Sequence, residues 1–244
     1  MDFQRTHDWP STEQQALLIQ EQLRPLVRTR PLPAPPRTLA GLDVAYGGSH
    51  GSAADRVAAA VVVLDADTLE VLDSATAVGT AGFPYVPGLF AFRELPVLTA
   101  ALTSLATRPD VLLCDGQGLA HPRRFGLACH LGVLTGLPTL GVAKTPLLGS
   151  WDEPGPSRGD SSDVQDGGET VARVLRTQDG VKPLTVSTGH LITLDDACAL
   201  VLRAAPRYRL PETTRLADRL CRDALAADVL AAGSQPTGAQ VTDR

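Results

Sequence analysis

A mixed α/β fold, with helices packed on a single β-sheet, is predicted by three features of this sequence. Three β-patterned segments come first, at 39–46 and within 56–79. Strand and helix patterns then alternate from residue 96 to 142. Two more strands, near 170–176 and 182–187, precede two helical segments at about 193–205 and 211–232. A meander followed by strand–helix alternation builds a mixed sheet with helices on it.

Each element has its local reason. Leu17, Leu18, Leu23, Leu26 and Val27 recur at helical spacing and predict a helix within 11–30. The PLPAPP that follows is a stiff extended connector. LAGLDVAY (39–46) alternates and runs into Gly47-Gly48, as a strand entering a turn does. RVAAAVVVLDADTLEVLDSATAVG (56–79) reads as two strands joined by a turn at 65–68. A helix is predicted over 96–107, begun or kinked at Pro96. Strand 110–114, helix 122–135 and strand 138–142 follow, with Gly136 and Pro138 stopping the middle helix. Residues 145–168 are acidic and rich in Gly, Ser and Pro, and are expected to be a mobile loop. The division expected is an N-terminal helix and connector (1–38), a main domain (39–232) and a disordered tail (233–244). This element order resembles the ribonuclease H-like fold.

Composition narrows the function class. The chain has 244 residues, 43% of them hydrophobic and 20% charged, which suits a soluble globular protein with one full core. No stretch can span a bilayer, and no secretory leader is recognisable, so a non-membrane protein is expected. Cys114, Cys129, Cys198 and Cys221 are widely spaced in apolar surroundings, which fits buried free thiols and a cytoplasmic location. A net charge of −5 argues mildly against a polyanion binder. Residues 203–222 nevertheless carry six arginines against two acids, so one basic face for nucleic acid is available.

The carboxylates suggest a metal. Asp43 lies mid-strand between Leu42 and Val44, where a charge is costly unless paired or bound to a cation. Asp115 ends VLLCD, at the carboxyl edge where ligand sites of α/β sheets gather, although a plain turn aspartate fits there equally well. Two aspartates on neighbouring strands would converge on a hard cation, and magnesium takes such oxygen ligands together with substrate phosphate. Glu94 offers a third carboxylate, or simply an acid at a helix start. Zinc is disfavoured, because no His/Cys ligand spacing is present.

Cations and an aromatic surround this candidate site. His121 precedes Pro122, Arg123 and Arg124 at the expected helix start, where two arginines are explained either by a bound anion or by solvation. Lys144 ends the strand TLGVAK on the same edge as Asp115 and could hold a phosphate. His190, in VSTGH, ends another strand. His130 reads as core, while His7 and His50 carry no signal. Tyr85 stands between Pro84 and Pro87, where a rigid backbone could present it as a wedge between base steps; a core tyrosine is the alternative.

Four ordered blocks carry a specific resemblance: AGLDVAYGG, PYVPGLFAFRELPVL, DGQGLAHPRRFGLACHLGVLTGLPTLGVAK and KPLTVSTGH. Together, within roughly 39–205, they resemble the endonuclease V (deoxyinosine 3′-endonuclease) family. The resemblance implies a ribonuclease H-like, magnesium-dependent enzyme, with manganese able to substitute, acting as a monomer on DNA that contains deoxyinosine or other deaminated or mismatched bases. It implies Asp43 and Asp115 as metal ligands, with Glu94 and His190 completing the catalytic group. It implies phosphate and catalytic roles for His121 and Lys144 and DNA wedging for Tyr85. Gly116, Gly118 and the turn at Gly189 would line the pocket for a flipped hypoxanthine. The implied reaction hydrolyses the second phosphodiester 3′ to the lesion, leaving 3′-hydroxyl and 5′-phosphate ends.

A dinucleotide-binding enzyme fails because position 121 is His where the phosphate fingerprint needs Gly or Ala. A noncatalytic nucleic-acid-binding module is opposed by the intact acids. An inosine-specific ribonuclease stays open as the alternative.

Overall fold

The computed structural model describes residues 6–48 and 51–233. The tail reading (233–244) and His50 therefore fall, Gly233 apart, outside the described residues. One eight-stranded mixed sheet organises the rest. In chain order the strands are β1 (Thr38–Gly47), β2 (Arg56–Asp65), β3 (Val71–Thr80), β4 (Val111–Asp115), β5 (Thr139–Ala143), β6 (Ser161–Asp166), β7 (Glu169–Leu175) and β8 (Leu184–His190). They lie in the order β3-β2-β1-β4-β5-β8-β7-β6. β1, β4 and β5 are mutually parallel, and every other pairing is antiparallel. The mixed sheet with flanking helices is the architecture expected from the sequence, and its first five strands have the ribonuclease H-like arrangement.

Period two assigns the faces. Ala40, Leu42 and Val44 of β1 and alternate valines of β2 pack under α2 (Ala91–Thr103) and α3 (Leu127–Thr135). Leu39, Leu113 and Val142 pack on the other side against α4 (Leu194–Ala204). Val62 and Leu64 meet Ala217 of α5 (Glu212–Gly233) on that same side. Gly41 faces α5, and a Cβ there would lie 2.1 Å from the Thr213 carbonyl oxygen, so glycine is what lets this helix lie flat on β1.

Several boundaries differ from expectation for definable reasons. The first helix, α1 (Glu13–Leu23), opens with a Thr12/Gln15 capping box and gives way to one 3-10 turn, Arg24–Leu26, at Pro25. α2 begins at Ala91 and carries Pro96 inside it, so Glu94 sits in its first turn rather than ahead of it. α3 begins at Leu127, not 122, because Arg124 adopts a left-handed backbone (φ 54°) that no helix can run through. The helix does stop at Gly136, in the left-handed conformation. The segment read as a wholly mobile loop, 145–168, contributes β6, which adds to β7 and buries Val164. Composition hid this edge strand because its remaining side chains face solvent.

Candidate active site

The register delivers the two aspartates together. The parallel ladder of β1 and β4 runs to Leu42 opposite Cys114, so Asp43 and Asp115 follow side by side at its carboxyl end. Both have the parity of Leu39 and Leu113, so both face α5. There Asp218 joins them along one open cleft, also lined by Tyr46, Arg222 and Leu225. Glu94 comes from α2 on the opposite face, buried at 5% exposure, and its Oε1 accepts the Tyr46 hydroxyl at 3.1 Å. Four carboxylates from four elements thus meet at one sheet end.

Their electrostatics are set by burial and by one another's charge, partly offset by Lys144 at Asp115 and by Arg222 at Asp218. Burial first, then Asp115 and Asp218, pushes Asp43 from its ordinary 3.8 up to about 7, against the Val44 N–H that donates to it at 2.8 Å. Glu94 is raised by burial and by Asp43 and Asp115. Asp115 is raised by burial and Asp218, with Lys144 pulling the other way. Lys144 follows β5 and lines a second opening with Asp115, Asp218, Arg215, Arg219 and Arg222. The carboxylates thus sit beside a cationic flank, in which Arg215 and Arg222 are paired to Glu212 and Asp218.

Hard oxygen donors, with Asp43, Glu94 and Asp115 raised by burial and by neighbouring acids, fit a divalent cation. Among the described residues no three His, Cys, Asp or Glu side chains already enclose an ion position. Magnesium binds through one or two carboxylates and completes its octahedron with water and substrate oxygens. Asp43 and Asp115, with Asp218 beside them, are the residues that would hold it.

A separate cavity of about 270 Å³ starts one residue beyond Asp115. Gly116 turns the chain there (φ 151°). Gly116, Gln117, Phe90, Phe125, Leu127 and Leu147 line the cavity, and Tyr85 stands at its mouth, 57% exposed. Pro84 and Pro87 flank Tyr85 and are exposed.

Other expected site residues are placed differently. His121 lines this cavity rather than the acid cluster, and both ring nitrogens are committed. Nε2 donates to the Gly88 carbonyl (3.0 Å) and Nδ1 accepts the Arg123 N–H (3.2 Å). Burial and Arg123 push it down to about 4, so it is a neutral, positioned imidazole. His190 of β8 pairs with Thr139 at the start of β5, whereas Ala143, next to Lys144, pairs with Thr185. His190 is thus at the far end of the sheet from Asp115, where its Nδ1 accepts the Arg28 N–H at 3.2 Å. The structure does not bring it to the carboxylates.

Gly118 and Gly189 do not line the cavity either. A Cβ on Gly118 would meet the Thr188 carbonyl at 2.0 Å, and one on Gly189 would meet Thr139 Oγ1 at 2.4 Å. Both are close-packing glycines, Gly118 against β8 and Gly189 between α3 and β5. Arg124 is tied to Asp166 (2.6 Å) and Glu169 (2.8 Å), and Arg123 donates to Gly88 and Gln20. With α3 starting at Leu127, Arg123 and Arg124 do not sit at its first turn, where an anion is one of the two readings the sequence leaves open.

Sequence reasoning missed Asp218, Tyr46 and Gln20. Asp218 had a signal. It borders the stripe of Thr213, Ala217 and Cys221, which repeats every four residues and is buried on the sheet. The surrounding arginines drew attention to charge instead.

The Endonuclease V family profile matches residues 21–219. Endonuclease V of Streptomyces avermitilis is 55% identical over 219 residues, covering 89% of this chain and 94% of that protein. The crystal structure of the S. avermitilis Endonuclease V superposes with a TM-score of 0.86 at 53% identity, over 91% of this chain and 96% of that one. A crystal structure of a Ciona intestinalis Endonuclease V variant, in complex with a 23mer DNA containing an inosine followed by a ribo-adenosine, gives 0.74 at 28% identity, over 89% and 99%. With its acid cluster and adjoining cavity in place, and with matches over most of its length, the chain belongs to the Endonuclease V family.

Proposed function

We propose that this nuclease nicks DNA at deoxyinosine, hydrolysing the second phosphodiester on the 3′ side and leaving 3′-hydroxyl and 5′-phosphate ends, with magnesium as its cofactor. One observation carries the reading: a largely apolar cavity with an exposed tyrosine at its mouth adjoins, but is distinct from, a four-carboxylate cluster. Separate places for a base and for a phosphodiester suit an enzyme that reads one nucleotide and cuts at another. The inosine-bearing DNA held by the Ciona relative supports the same substrate class.

The residues divide the work. Tyr85, between two prolines, fills the gap left when a base leaves the stack, which is easiest where pairing is weak. Gly116 takes the left-handed turn that forms the cavity wall, where a Cβ would crowd Leu127. Asp43 and Asp115 are the residues that would hold the cation, whose charge would favour their ionised forms over burial. When bound, magnesium polarises the phosphoryl oxygens and lowers the pKa of attacking water. Glu94, oriented by the Tyr46 hydroxyl, holds its place behind them. Lys144 offsets charge on the phosphate from the cationic flank. The four cysteines are free and buried, as a reducing, cytoplasmic setting would have them. Among the described residues no helix is long and apolar enough to cross a membrane.

Matched DNA and RNA duplexes carrying one inosine test the proposal. Nicking of the DNA with magnesium and none with chelator is expected, and Asp43→Ala should abolish it. Release of free hypoxanthine, or cutting confined to RNA, would overturn it.

A further inference from the structure

The geometry points to Gln20, on α1, as a positioning residue that sets the wedge loop and the mouth of the base cavity through the Gly88 carbonyl. The inference rests on reading that cavity as the seat of a flipped base.

The Gly88–Leu89 peptide anchors the carboxyl end of the loop that carries Tyr85. Its N–H, from Leu89, donates to Val86 at 2.9 Å, closing the loop on itself. Its oxygen accepts three donors: Gln20 Nε2 at 3.0 Å, His121 Nε2 at 3.0 Å and an Arg123 guanidinium N–H at 2.6 Å. A carbonyl offers two lone pairs, so three donors on one oxygen fix its direction closely. Gly88 is left-handed (φ 77°), and a Cβ there would lie 2.7 Å from the Arg123 guanidinium.

Gln20 holds this group together. Its side chain is 1% exposed, and it too lines the cavity. Its Nε2 also reaches the Phe125 carbonyl at 3.4 Å, and its Oε1 accepts the Arg123 Nε–H. One amide therefore donates to the wedge loop and to the 121–126 segment while orienting the guanidinium that donates beside it. Only a group that both donates and accepts does this. Methionine keeps the bulk and loses both functions. Glutamate keeps the acceptor for Arg123 but presents a carboxylate to two carbonyl oxygens. α1 is thereby a working part of the site rather than an appendage.

Steady-state nicking of a deoxyinosine duplex, with the same duplex bearing adenine at that position as control, tests this. Gln20→Met and Gln20→Glu should raise KM about tenfold with kcat changed less than about threefold, as loss of a buried hydrogen-bond set used for binding implies. Preference for inosine over adenine should fall in parallel. Arg123→Met should shift KM in the same direction, and adding Gln20→Met to it should cost less than the product of the two single effects, because both act through Gly88. Melting temperature identifies variants that fold, and Arg123→Met decides the matter if both Gln20 variants unfold. Unchanged KM and preference in the folded variants, or a loss carried by kcat, would overturn the assignment. A wild-type protein that fails to nick inosine DNA would instead defeat the reading of the cavity itself.

Discussion

Replacing Asp43 by asparagine should make this protein more stable and inactive together, in a pH-dependent way. The carboxyl of Asp43 rises from 3.8 to about 7, with burial the first cause and the charges of Asp115 and Asp218 next. A carboxylate raised in the folded state favours folding below its unfolded pKa, and that contribution is lost as pH rises through the folded value. The cation-free protein should therefore weaken between about pH 4 and pH 7 and stay weakened above. A rise of this size corresponds to about 4 kcal/mol at pH 8 as an upper bound. An amide also resists burial, so about half of that, roughly 2 kcal/mol, is expected for Asp43→Asn, or about 4–8 °C in melting temperature. Thermal melts with chelator at pH 5.5 and pH 8 read it directly: the variant should gain at pH 8 and little at pH 5.5. Adding magnesium at pH 8 should raise the wild-type melting temperature and move the variant much less, while nicking falls by at least about a hundredfold. A variant no more stable than wild type at pH 8 without cation would refute the picture of an Asp43 charge held up by burial and by the neighbouring acids. An active variant would refute the role of Asp43.

Three further outcomes follow from the geometry. Tyr85→Ala should leave the melting temperature unchanged, since the ring is 57% exposed, yet raise KM on duplex DNA more than on single strands, where no gap in a stack needs filling; equal effects on both would remove the wedge role. His190→Ala should lower stability by about 1–3 kcal/mol, because the Arg28 N–H loses its acceptor, while urea-melt controls and initial rates show kcat/KM of the folded protein kept within about threefold. Gly41→Ala should push α5 off β1, with the new Cβ only 2.1 Å from the Thr213 oxygen, costing about 1–3 kcal/mol and lowering kcat by drawing Asp218 away from Asp43; a fully active, fully stable variant would show that the approach is not needed.

The sheet was legible because its strands are apolar runs bounded by turn residues, and because Gly136 stops α3 where the pattern ends. Asp43 and Asp115 were legible for a related reason: a charge at mid-strand, or at a strand's carboxyl end, interrupts an apolar run and asks for a partner. Helix starts were harder to read. Pro122 looks like the opening of a helix, but the left-handed Arg124 behind it is a tertiary effect, held by Asp166 and Glu169 some forty residues later. His190 misled for the opposite reason. Ending a strand places a residue at a sheet edge, but which edge depends on strand direction. β8 runs antiparallel to β5, so its carboxyl end is remote from the carboxyl ends of β1 and β4.

That directional rule also explains why the fourth acid had to come from a helix. β1 and β4 are parallel neighbours and bring Asp43 and Asp115 to one edge, with β5 adding Lys144 beside them. The antiparallel strands beyond, β2 on one side and β8 on the other, present their amino ends there. Further acids can therefore reach the cluster only from above or below the sheet: Glu94 from α2 on one face and Asp218 from α5 on the other. The glycine at 41 brings α5 close enough for the second of these. A substitution in α5 that keeps its packing but moves the acid by one turn, Asp218→Ala with Arg222→Asp, should leave melting temperature nearly unchanged and activity lost. Recovery of nicking in that variant would show that the position of the fourth carboxylate is unimportant, and with it the claim that this sheet edge is what organises the site.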